Sequence, residues 1–134
     1  MDRSAMSADV VVVDDDPRVR KVLGYLLERE GLAVRSYGSP HAALDFVLAH
    51  PPPVLVTDLQ MPGLDGAGLA AAVRGGLGER SPRILLLTGN PRALRPRDKQ
   101  LFDLTLSKPW EPSFLTSAVL SWVRAPHRPV AATG

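Results

Sequence analysis

The sequence predicts an α/β fold, a doubly wound five-stranded parallel sheet with helices on both faces. Two observations carry this expectation. Short apolar runs rich in Val, Leu and Ile alternate with stretches whose apolar residues recur at helical spacing, the pattern of successive βαβ units. The clearest run, Val10–Val13, is continuously apolar rather than alternating in polarity. That marks a strand covered on both faces, as parallel strands are.

Val10–Val13 is the first strand, and Asp16-Pro17 then supplies a cap and first helical position. Val19, Val22, Leu23, Leu26 and Leu27 recur at i, i+3, i+4, i+7 and i+8 and define an amphipathic helix that Gly31 ends. Leu32–Tyr37 is the second strand. Ser39-Pro40 opens a second helix with Ala43, Leu44, Val47 and Leu48 turned inward, and Pro51–Pro53 stops it. Val54–Thr57 is the third strand and runs into Asp58. A loop over Leu59–Leu64, turning at Pro62-Gly63, leads to an Ala- and Gly-rich helix over Asp65–Leu77. Arg83–Leu87 is the fourth strand and ends at Thr88.

In Gly89–Gln100, Pro91 and Pro96 fall where a helix belongs, so the fourth helix is expected to be short, distorted or missing and the segment loosely held. Leu104–Leu106 is the fifth strand, ending just before Lys108. Pro112 begins the last helix, with Leu115, Ala118, Val119, Trp122 and Val123 on one face and Trp122 expected in the core. Residues 1–8 are expected to be a disordered leader, 9–124 one domain and 125–134 a flexible tail.

Composition narrows the function. The 134 residues contain no Cys, which excludes a disulfide framework, a thiolate zinc site and cysteine catalysis. No apolar run approaches the roughly 20 residues of a membrane span, and the N-terminus lacks the apolar core of a signal peptide. A cytoplasmic protein without membrane contact is the expectation. Sixteen Lys and Arg face fourteen Asp and Glu, for a net charge of +2. The Arg are scattered and not interleaved with aromatics, so no direct nucleic acid binding is expected. His41, His50 and His127 lack metal-ligand spacing and are expected at the surface.

In parallel α/β sheets the ligand site lies beyond the carboxyl ends of the strands. The residues there are Asp14, Asp15 and Asp16 after strand one, Asp58 after strand three, Thr88 after strand four and Lys108 after strand five. Carboxylates gathered at one edge require a cation, a shared proton or a basic side chain to coexist. An all-oxygen cluster suits Mg²⁺ (or Mn²⁺). A divalent ion, an ammonium and a hydroxyl aimed at one carboxylate suit phosphoryl transfer, with an Asp as nucleophile.

Those residues resemble a known family. "VVVDDD" at Val11–Asp16, the D-x-x-M-P-x-x-D-G run from Asp58 to Gly66, Thr88 and Lys108-Pro109 are similar in order to the bacterial response-regulator receiver domain, over about residues 9–124. The resemblance implies a flavodoxin-like receiver fold with strand order 2-1-3-4-5 and a place in a two-component phosphorelay. It implies Asp58 as phosphoacceptor, with Asp14, Asp15, Asp58 and the backbone carbonyl of Gln60 as metal ligands. Thr88 and Lys108 match the residues that receive the phosphoryl group, and Pro62, Gly63 and Pro109 shape the loops, with the Lys108–Pro109 bond usually cis. Asp16, one position beyond the matched pair, is better read as the helix cap. Asp65 and Gly66 are expected to shape the loop and cap its helix rather than touch the site.

The implied partners are a histidine kinase or histidine phosphotransfer protein and a downstream protein target. The chain would be a phosphoacceptor that assists its own phosphorylation and slow dephosphorylation rather than an enzyme. Family members often carry an aromatic switch residue three positions before the lysine; here Thr105 stands there. Thr88 and Lys108 are also only 20 positions apart, short for the family. The alternative reading is a receiver-like interaction module that is never phosphorylated; its mark would be loss of an acid or of Lys108, and neither is lost. An aspartyl-phosphate phosphatase would carry a second Asp two positions after the nucleophile, where Gln60 stands. A flavodoxin-type carrier would not place "DDDPRVR" against a flavin phosphate.

Overall fold

The computed structural model describes residues 7–125, so most of the expected leader and tail, with His127, lies outside the described residues. The strands are β1 (Val10–Val13), β2 (Val34–Tyr37), β3 (Val54–Asp58), β4 (Arg83–Thr88) and β5 (Leu104–Ser107). The α-helices are α1 (Pro17–Glu28), α2 (Pro40–Ala49), α3 (Gly66–Leu77) and α4 (Pro112–Arg124). All pairings are parallel, in the order β2-β1-β3-β4-β5.

Strand alternation sorts the core into two layers. Val11, Val13, Leu55, Ile84 and Leu86 face α2 and α3, meeting Ala43, Phe46, Val47, Leu69, Ala70 and Val73. Val10, Val12, Val54, Val56, Leu85 and Leu87 face α1 and α4, meeting Leu23, Leu27, Leu115 and Val119. The central strand residues are 0–1% exposed, which is why they read as solid apolar runs. Each fully buried Leu or Val here contributes about 1.5–3 kcal/mol relative to exposure.

Several boundaries differ from the sequence reading. β2 begins at Val34, two residues later than expected: the Leu32 N–H still bonds back to the Leu27 carbonyl, and the Ala33 carbonyl accepts from both Asp9 N and Val10 N. α1 ends at Glu28; Gly31, at φ +84°, completes the turn that follows rather than capping the helix directly. Ala8, assigned to the leader, is buried in the α2/α3 layer. Val22 and Leu48 were expected inside but are 50% and 38% exposed, because their positions fall on the outer edge of each apolar stripe. Trp122 is half-buried rather than fully enclosed, with the Arg83 guanidinium 5.8 Å above its ring centre. Within the described residues His41 is exposed, while His50 is half-buried and packs 5.2 Å from the Phe46 ring.

No α-helix connects β4 to β5. Two 3-10 turns, Pro91–Ala93 and Pro96–Leu101, take its place, since Pro91 and Pro96 each lack the N–H that an α-helix would use. The segment is nevertheless anchored, contrary to the loose hold expected. Leu94 and Phe102 insert into the α2/α3 layer, and the Arg74 side chain donates from Nε and Nη2 to the Leu101 carbonyl at 3.0 and 2.8 Å. Below it, at the amino ends of β4 and β5, Asp103 accepts from Ile84 N at 2.7 Å and pairs with Arg74 at 3.1 Å. No helix among the described residues is long and apolar enough to cross a membrane.

Candidate functional site

The carboxyl ends of β1, β3, β4 and β5 bring together Asp14, Asp15, Asp58, Thr88 and Lys108. Parallel register is the reason. Val13 pairs with Thr57, Asp58 with Leu87, and Thr88 with Ser107, so one edge collects the next residue of each strand. Strand parity then divides them. Asp14, Asp58 and Lys108 continue the series that faces α1 and α4, while Thr88 continues the series that faces α3 and the 3-10 segment.

Asp14, Asp15 and Asp58 each offer an oxygen, and the three lie within 4.8 Å of one another. The Lys108 ammonium stands 3.4 Å from Asp14 Oδ2 and 3.5 Å from Asp58 Oδ1. Asp14 is almost wholly buried, Asp58 half-buried and Asp15 exposed. Burial pushes the Asp14 carboxyl above its ordinary value of 3.8, against the pull of the Asp16 N–H and of Lys108, and the charge of Asp58 adds to the rise. Asp58 Oδ1 also accepts from Leu59 N at 2.8 Å, which fixes its rotamer.

Asp16 is the helix cap that its position suggested. Its Oδ1 accepts from Arg18 N at 2.9 Å, and the hydrogen bond from the Arg18 side chain holds its carboxyl below 3.8. Thr88 is buried, and its hydroxyl oxygen accepts from Asn90 N at 3.0 Å. The Lys108 N–H donates to the Thr88 carbonyl at 2.8 Å, and the Lys108–Pro109 peptide is cis.

After β3, Leu59 and Met61 are buried while Gln60 and Pro62 are exposed, and Gly63 turns the chain at φ +85°. Asp65 caps α3 by accepting from Gly68 N at 2.7 Å. Gly66 N donates to the Leu59 carbonyl at 2.7 Å, and a Cβ on Gly66 would overlap the Asp58 carbonyl oxygen. This glycine therefore lets α3 start against the strand end that carries Asp58.

One contributor was not expected from the sequence. Arg20 Nη1 donates to the Asp14 carbonyl at 2.7 Å and ties the start of α1 to the site. Its position on the first helix carries no motif that would have marked it. Trp110, two residues past Lys108, packs against the α1/α4 layer with its indole N–H buried and without a partner among the described residues.

The chain matches the family described as the response regulator receiver domain over residues 10–120. It is 35% identical over 123 residues to an uncharacterized 14.6 kDa protein of Leptolyngbya boryana, covering 87% of this chain and 91% of that one. It is 33% identical over 119 residues to the transcriptional regulatory protein FixJ of Bradyrhizobium diazoefficiens, covering 86% of this chain but only 56% of FixJ. The structure of full-length FixJ from B. japonicum superposes with a TM-score of 0.79 at 30% identity, over 93% of this chain and 61% of that one. With the observed strand order and the motif residues at their strand ends, the match places this chain in the response regulator receiver domain family of two-component signalling.

Proposed function

We propose that the chain is a phosphorylation-controlled switch in which Asp58 accepts a phosphoryl group from the phosphohistidine of a histidine kinase or histidine phosphotransfer protein. An Asp58 carboxylate oxygen attacks phosphorus, the P–N bond breaks, and its electron pair leaves with the imidazole. The observation that carries this reading is the Lys108 ammonium 3.5 Å from Asp58 Oδ1, on an edge where three carboxylates converge. Lys108 offsets the negative charge that gathers on the transferring group, and Thr88 supplies a hydroxyl donor on the other side.

The all-oxygen donor set of Asp14, Asp15 and Asp58, with the backbone carbonyl of Gln60, fits Mg²⁺ or Mn²⁺. When bound, the ion supplies charge neutralisation for the incoming phosphoryl oxygens. Pro62, Gly63 and Pro109 hold the loops that frame this edge. The chain turns over no substrate of its own in this reading. It is a stoichiometric phosphoacceptor in the cytoplasm, signalling to a protein target without direct contact with nucleic acid or membrane.

The test is intact-mass measurement after incubation with acetyl phosphate and Mg²⁺. The wild-type chain should gain one phosphate mass, and Asp58→Asn should gain none while keeping its fold by circular dichroism. Equal labelling of the variant, or labelling that survives EDTA, would remove Asp58 or the metal from this scheme.

A further inference from the structure

Arg20 is the fourth residue of α1, and its side chain runs back toward the helix start, as helical side chains do. There the half-buried guanidinium donates from Nη1 to the Asp14 carbonyl at 2.7 Å. It forms no ion pair among the described residues. A full positive charge is therefore committed to one neutral oxygen at the edge of the acidic trio.

Its seat is Gly38. Val13 of β1 pairs with Tyr37 of β2, so the next residue, Gly38, comes level with Asp14. A Cβ at Gly38 would stand 2.8 Å from Arg20 Nη1 and 3.3 Å from its Cζ. Gly38 is not among the glycines with positive φ, so what the site uses is its missing side chain and not its torsion. The guanidinium rests in the space that a side chain would fill.

What the bond holds is the peptide between Asp14 and Asp15. Asp14 is fixed without it. Its N–H donates to the Tyr37 carbonyl at 3.2 Å, Oδ1 accepts from Asp16 N at 2.9 Å and Oδ2 from Lys108 Nζ at 3.4 Å. The Asp15 carboxylate is exposed and accepts no hydrogen bond among the described residues. Because a peptide is planar, holding the Asp14 oxygen also holds the Asp15 nitrogen, and with it the direction in which Asp15 leaves the strand end.

We propose that Arg20 is a positioning residue for the metal ligand Asp15, and that Gly38 makes that position possible. The inference rests on the reading of Asp14, Asp15 and Asp58 as the Mg²⁺ set. Charge alone predicts the opposite effect. A guanidinium beside three carboxylates repels a divalent cation, so loss of a merely electrostatic Arg20 would tighten Mg²⁺ binding. Loss of a positioning Arg20 weakens it, because the ion must then order the exposed ligand itself, against conformational entropy.

The test is Mg²⁺ binding to the full chain by titration calorimetry, with folding checked by circular dichroism in EDTA. Arg20→Ala should weaken Mg²⁺ about tenfold, the scale on which residues behind a metal ligand act. Gly38→Ala keeps the cation but displaces it, since the obstructed atoms end a flexible side chain, and should weaken Mg²⁺ about fivefold. The double variant should match Arg20→Ala, because nothing is left to displace. Arg18→Ala removes an equal charge from the same helix turn, where the side chain bonds Asp16 instead, and should weaken Mg²⁺ less than about twofold. In EDTA, the order parameter of the Asp15 amide should fall in Arg20→Ala while that of Val12 holds.

Tighter or unchanged Mg²⁺ binding in Arg20→Ala, an equal loss in Arg18→Ala, or an unaltered Asp15 amide overturns the positioning role. Losses that multiply in the double variant overturn Gly38 as the seat. If Arg20→Ala does not fold, Gly38→Ala decides the role by the same titration. A wild-type chain that binds no Mg²⁺ overturns the metal reading itself, whereas a wild type that binds and an Arg20→Ala that binds equally overturn the inference alone.

Discussion

Lys108 Nζ lies 3.4 Å from Asp14 Oδ2, although 94 positions separate the two residues. The same ammonium stands 3.5 Å from Asp58, so one positive charge serves two carboxylates, and the more buried of them is left short of compensation. Burial raises the Asp14 carboxyl above 3.8, the Asp58 charge adds to the rise, and the shared Lys108 does not cancel it.

That imbalance sets a pH dependence. Because the folded state holds the Asp14 proton more tightly than the unfolded chain, this group's contribution to stability falls as pH rises from 3.8 through its raised folded value. In EDTA, Asp14→Asn should therefore melt higher than wild type at pH 7, and the gain should shrink towards zero near pH 3. Thermal unfolding followed by circular dichroism across that range checks it; a gain that persists unchanged at pH 3 would point to packing instead of charge.

Mg²⁺ should raise the melting temperature of the wild-type chain, since a ligand of the native state stabilises by mass action, about 2.7 kcal/mol at a hundredfold excess over Kd. Asp15 is the exposed member of the acidic trio. Asp15→Asn should lose most of the metal-dependent rise while changing the metal-free melting temperature little. An unaltered Mg²⁺ response would take Asp15 out of the ligand set.

Two glycines of α3 should behave oppositely. Gly66→Ala forces a methyl onto the Asp58 carbonyl and should cost about 2 kcal/mol or more. Gly75 has nothing within 4 Å of a built Cβ, so Gly75→Ala should stabilise by about 0.5–1 kcal/mol through helix propensity. Urea unfolding of the pair gives the comparison directly.

Trp110 buries an indole N–H with no partner among the described residues. Trp110→Phe removes that donor while keeping most of the apolar contact, so stability should stay within about 1 kcal/mol of wild type. Trp110→Ala should cost about 3–5 kcal/mol by loss of packing. Guanidinium unfolding separates the two; a large loss in the Phe variant would mean that the N–H is satisfied in solution.

The order of strands and helices was legible in the sequence because burial writes itself as periodicity. Val10–Val13 and Val54–Val56 are apolar throughout because helices cover both sheet faces. Pro17, Pro40 and Pro112 mark helix starts because a first-turn N–H has no partner to lose. The candidate site residues were legible too, since each stands at or beside a strand's carboxyl end, and parallel register brings those ends to one edge. Pro91 and Pro96 announced the missing fourth helix.

Tertiary structure decided the rest. Which of Asp14 and Asp15 is buried depends on the neighbouring strands and not on either residue's type. Periodicity could not tell that Val22 and Leu48 sit at uncovered stripe edges, because coverage depends on the width of the opposing layer. Nor could composition show that Leu94 and Phe102 anchor a segment that its prolines deny an α-helix, or that Arg74 reaches 27 positions along the chain to hold it. Local sequence determines the conformations open to a segment. The contacts that select among them, and that set the charge environment of each carboxylate, come from residues distant in the chain.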